Sequence, residues 1–87
     1  MNLIDILEGE RELNKKIDTL SDRIFSLLHT IDDMEMNPEW YKKGSIEEEK
    51  ELLEKCRTEK ESLQEQLKRN HVQMRYCLLN LFREVDR

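Results

Sequence analysis

From Leu3 to Met34 the apolar residues recur every three or four positions, and this period limits the chain more than any other feature. With Leu3 at heptad position a, the a series is Leu3, Glu10, Ile17, Ile24 and Ile31, and the d series is Ile6, Leu13, Leu20, Leu27 and Met34. Only Glu10 is polar. A mean spacing of 3.5 residues keeps one narrow stripe facing a neighbouring helix, as a coiled-coil seam requires. A helix over about residues 2–36 is therefore expected. Asn2 is placed to cap its start, and Asp5 lies near the positive end of the helix dipole. Gly9 interrupts good helix formers and costs about 1 kcal/mol relative to Ala.

The pattern breaks at Asn37-Pro38-Glu39-Trp40-Tyr41-Lys42-Lys43-Gly44-Ser45. Pro38 suits the first position of a short helical turn capped by Asn37, and Gly44 suits a left-handed residue ending it. Ser45-Ile46-Glu47-Glu48 reads as a capping box opening a second helix over about 46–86. There the a series is Ile46, Leu53, Lys60, Leu67, Met74 and Leu81, and the d series is Glu49, Cys56, Leu63, Asn70, Cys77 and Glu84. With no run of alternating β-branched residues to suggest a strand, the class is all-α. The chain, 1–87, reads as a single antiparallel two-helix hairpin, coiled-coil-like, with its tip at 37–45.

Antiparallel seams set a layers against d layers. A tip centred near Trp40 makes facing residue numbers sum to about 80. Leu3 then faces Cys77, Ile6 faces Met74, Ile24 faces Cys56 and Leu27 faces Leu53. Glu10 meets Asn70, so the polar members of the two seams share a layer, and a lone buried polar group is avoided. Glu51 with Lys55, and Glu65 with Arg69, are spaced for ion pairs along the second helix.

Beyond His71 the apolar residues leave the stripe and appear on nearly every side of the helix. A helix that is apolar all round needs cover from more than one neighbour. Met74 and Cys77 are matched within the chain, whereas Leu78, Leu79, Leu81, Phe82 and Val85 are not. Leu3, Ile4, Leu7 and Val72 lie at the same end. These nine residues are the expected interface, through which two hairpins would pair into a four-helix bundle. The homodimer is the simplest such oligomer.

The chain carries a net charge of −5, unevenly spread. Residues 32–54 hold nine acids and three bases, whereas residues 55–87 hold five acids and eight bases, giving −6 and +3. Overall acidity argues against general nucleic-acid affinity, which needs a basic footprint. Lys68, Arg69, Arg75 and Arg83 nevertheless form a basic stripe interleaved with Tyr76 and Phe82, against which the plainer reading is a solvated face. Cys56 and Cys77 lie three heptads apart on one helix, about 30 Å at 1.5 Å per residue, too far to bridge. They read as core residues of a protein in a reducing intracellular compartment, cytoplasm or nucleus. The N-terminal stretch is too short and acidic for a signal peptide, and no apolar run approaches a membrane span.

No catalytic constellation is legible. The four serines form no motif with His29 or His71, and Cys56, His71 and Cys77 match no compact metal-ligand spacing. No cofactor or metal is expected. Trp40 and Tyr41 at the tip suit a partner-binding anchor, against the simpler expectation that Trp40 folds back over Met34, Met36 and Ile46. The favoured reading is a non-enzymatic assembly or adaptor protein that self-associates through its terminal ends and engages a larger protein. The alternative is a small acidic regulator that blocks an enzyme or nucleic-acid-binding protein, and a nucleic-acid-binding hairpin ranks last.

Overall fold

The computed structural model describes the backbone of residues 2–85 and the side chains of residues 2–83. Helix α1 spans Leu3–Met36, and helix α2 spans Ser45–Val85. A single 3₁₀ turn, Pro38–Trp40, lies between them. The helices pack antiparallel along their length, and no strand occurs among the described residues. The molecule is a helical hairpin 72 Å long and 16 Å by 14 Å across.

The heptad assignment accounts for the interior. Among the described residues, Ile6, Leu20, Leu27, Ile31 and Met34 of α1 and Leu53 and Cys56 of α2 are buried, all at a or d. Leu20, Leu27, Ile31, Leu53 and Cys56 form one cluster, with Ile24, Ile46 and Leu63 packed against it. The core is therefore concentrated toward the tip. Near the opposite, open end, Ile6 alone among the described residues is fully enclosed, at 1% exposure. Lys60, an a-position lysine, is half-buried, which suits a long stem lying along the seam with its charge in water.

Both helix starts can be traced to particular residues. Asn2 caps α1, its Oδ1 accepting from the Asp5 N–H at 2.9 Å. At α2, Gly44 takes φ +91°, the left-handed geometry expected of it. Its carbonyl accepts the first helical bond, from the Glu48 N–H at 3.5 Å. Ser45 is thus already the first helical residue, and no capping box forms. The Ser45 N–H donates to the Lys42 carbonyl at 3.1 Å. The surface ion pairs also differ from the sequence expectation. Glu65 pairs with Lys68 at 3.5 Å rather than with Arg69, and Glu54, not Glu51, forms the pair in its region, with Arg57 at 3.4 Å. Such exposed pairs are selected by rotamer more than by energy, being worth about 0.3–0.5 kcal/mol each.

Two helices make a ribbon with little inside. The accessible surface is 7360 Å², against about 5,500 Å² for a compact monomer of 10.6 kDa. The radius of gyration is 20.0 Å, against about 12 Å for a compact chain of this length. The hairpin thus exposes about 1,900 Å² more than a compact fold would.

Candidate interaction surface at the open end

The open end is built from the first turns of α1 and the last turns of α2. Its register is set by a polar layer in the apolar seam. The Asn70 side-chain amide donates to the Ile6 backbone carbonyl at 3.1 Å. One residue on, His71 Nε2 lies 2.9 Å from Glu10 Oε1. The expected register is thereby obtained, with a different internal arrangement. Glu10 does not bond Asn70; the carboxylate turns to the flank, where half-exposed His71 meets it, and Asn70 takes a backbone acceptor. A carboxylate held at the edge retains part of its hydration, which the middle of the seam would remove. Even so, Glu10 Oε2 is buried without a hydrogen-bond partner.

Gly9 lies beside this layer. A Cβ added there would sit 3.4 Å from Asn70 Nδ2, an ordinary contact with the far end of a side chain. Gly9 is therefore not demanded by close helix approach. Gly9→Ala is expected to stabilise the hairpin by about 0.5–1 kcal/mol through helix propensity. Thermal unfolding followed by circular dichroism checks this, and an unchanged or lowered midpoint would show that the Asn70 bond needs the extra space.

The nine residues expected at the interface fall as follows. Ile4, Leu7, Val72, Leu78, Leu79, Leu81 and Phe82 are all exposed, Ile4 and Phe82 by about two thirds. Leu3 is half-buried. The Val85 side chain lies outside the described residues. Large exposed apolar residues thus gather where α2 runs past the start of α1. They occupy two faces. Leu7 and Leu78 are both at heptad position e, on the flank where the helices meet, while Val72 and Leu79 at f, with Tyr76 at c, look away from α1. A shallow groove on that outer face is lined by Val72, Arg75, Tyr76 and Leu79.

The basic stripe lies along the same stretch. Lys68, Arg69, Arg75 and Arg83 are exposed. Because Lys68 is paired with Glu65 and apolar residues interrupt the stripe, its charge is not concentrated. Among the described residues, no group of three or more His, Cys, Asp or Glu side chains is placed to hold a metal ion. No helix there is long and apolar enough to cross a membrane.

At the tip, Trp40 does not fold back. It is 70% exposed, and Met36, one of the residues it was expected to cover, is exposed as well. Tyr41 takes the inner position instead. Its hydroxyl donates to Asp33 Oδ2, and it lines a hollow with Met34, Pro38, Gly44 and Ile46. Asn37 does not cap the 3₁₀ turn; its amide donates to Asp33 Oδ1 at 3.3 Å, and its N–H donates to the Asp33 carbonyl at 2.9 Å. One carboxylate therefore organises the tip. With Tyr41 tied down, the three-residue turn leaves Trp40 pointing outward.

The hydrogen bond to Asp33, then partial desolvation and the Asp33 charge, raise the Tyr41 pKa above the ordinary 10.0, since each favours the neutral phenol. The associated stability is present below the unfolded value and is lost as pH rises through the folded one. In an ultraviolet pH titration, Asp33→Asn is expected to shift one phenol's ionisation to lower pH. A titration curve identical to the parent's would remove the bond from solution.

Comparison with protein-family models, curated proteins and solved structures finds no match for this chain.

Proposed function

We propose that this chain is a non-enzymatic assembly or adaptor protein that pairs with itself through its terminal ends and offers its remaining surface to a larger protein. The observation that carries this reading is the exposed apolar cluster Ile4, Leu7, Val72, Leu78, Leu79, Leu81 and Phe82 at one end. Scattered surface leucines are ordinary, but exposed apolar side chains gathered at one end of a small chain suit an interaction site. The open architecture points the same way. A standard interface takes about 800 Å² from each partner, so the surplus of about 1,900 Å² is enough for self-pairing and a second contact.

Sedimentation equilibrium tests the reading. The expected mass is about twice the 10.6 kDa of one chain; a single-chain mass at high micromolar concentration would sink it. Recovery of a stoichiometric protein partner from the native host would then identify what the dimer joins.

One observation favours the runner-up, a small acidic regulator of an enzyme or nucleic-acid-binding protein. Trp40 stands exposed at the tip of the segment 32–54, which carries −6, and an exposed aromatic on an acidic segment suits a basic partner surface. Trp40→Ala abolishing partner capture without changing the chain's mass would favour this reading.

A further inference from the structure

The open end does not hold all of the exposed apolar surface. Phe25 and Leu28, on α1 nearer the tip, are exposed by 73% and 43%. They stand at heptad positions b and e, as do Ile4 and Leu7, and each lies three heptads beyond its counterpart, about 30 Å along the helix. Between the two clusters the b and e rows of α1 carry only Arg11, Asn14, Asp18 and Ser21. Leu78 and Phe82 occupy e and b of α2. The interhelical ion pair Glu35–Lys50, at 3.5 Å, joins two e positions, so the e rows of both helices border one flank. That flank therefore bears two greasy ends and a polar middle.

From this placement, and resting on the self-pairing read above, we infer that the second copy binds antiparallel along this flank. A two-fold axis passes near residue 16, and Phe25 and Leu28 of each chain cover Leu7 and Ile4 of the other. The numbers are self-complementary: 4 and 28, like 7 and 25, both sum to 32, about the repeat of a contact related by a two-fold axis. One operator thus covers both clusters twice. In the polar middle, Asn14 comes level with the partner's Asp18, and Arg11 lies one turn away, within reach of the same carboxylate.

Charge and length support the same arrangement. Residues 32–54 carry −6 and residues 55–87 carry +3. The antiparallel pair runs much of each acidic segment alongside the other chain's basic α2. A parallel pair would place the two −6 segments together, at an electrostatic cost. The partner's α1 from about Thr30 to Met36 also runs alongside residues 78–83 of α2, the part that has no α1 of its own to face. A parallel stagger of three heptads would also match Phe25 with Ile4, but it leaves one cluster bare at each end and grows into a filament.

The test replaces Phe25 with benzoylphenylalanine in the otherwise unchanged chain. The position is exposed, so the larger ring can be accommodated without disturbing the hairpin core. Isotopically light and heavy chains are refolded together, irradiated, digested and read by mass spectrometry. Mixed-isotope products joining position 25 to peptides containing Ile4 to Leu7 or Leu78 to Phe82 are expected. Mixed products joining position 25 to the partner's own 22–32 stretch would overturn the antiparallel pairing. So would a dimeric mass with no mixed product, which would leave self-pairing standing on another face. A monomeric mass would remove both readings together.

Discussion

Leu78→Glu combined with Phe82→Glu is expected to convert the dimer to single chains of 10.6 kDa while most of the helical signal remains. Leu78 is 40% and Phe82 67% exposed, and neither belongs to the buried core, so replacing them removes little of the hairpin's own packing. In a two-fold assembly each substitution occurs twice, and four apolar side chains would be lost from the interface. At about 1 kcal/mol or more for each, the dissociation constant should rise about 1,000-fold. New carboxylates in a desolvated contact add to this. Sedimentation equilibrium at a concentration where the parent is fully paired reads the change directly. Retained pairing would place the interface away from α2's last turns, and lost helicity would show that these turns are held only by the partner.

The second large effect belongs to the core. Leu27→Ala is expected to destabilise the hairpin by about 2–4 kcal/mol, because a buried leucine loses its transfer energy and leaves a cavity. Leu27 belongs to the cluster of Leu20, Ile31, Leu53 and Cys56, and the opposite wall is a single helix with nothing behind it. In a domain of this size each kcal/mol shifts the unfolding midpoint by about 4–8 °C, so a fall of about 8 °C or more should be seen by circular dichroism. Leu52→Ala is the control. Leu52 is exposed at position g and should cost well under half as much. Equal losses at the two positions would overturn the assigned seam.

The hairpin also explains why small changes should matter so much here. Seven of the described residues form the buried core, and a ribbon of two helices has no second layer to share a defect. Under the proposed pairing, association adds to the stability of the hairpin and makes it concentration-dependent. Unfolding midpoints should therefore be compared at one protein concentration.

Local chemistry made much of the structure legible in the sequence. The 3.5-residue spacing placed Leu20, Leu27, Ile31, Leu53 and Cys56 inside, since spacing along a helix decides which side chains share a face. Pro38 and Gly44 marked the tip because each allows a backbone geometry that few residues share. Matching the polar members of the two seams chose the register. The cluster at the open end was visible as a surplus of apolar residues over what one neighbouring helix can cover.

What only the tertiary structure decided concerns polar side chains with several partners within reach. Level alone matches Glu10 to Asn70, yet Glu10 meets His71, and Asn70 finds the Ile6 carbonyl. Trp40 and Tyr41 are adjacent and equally suited to cover the tip. Asp33 selects Tyr41 through a hydroxyl that tryptophan lacks, and Trp40 is left in solvent. Periodicity is a property of one chain and survives in the sequence. Such choices depend on distances between two helices, set only once their seams have met.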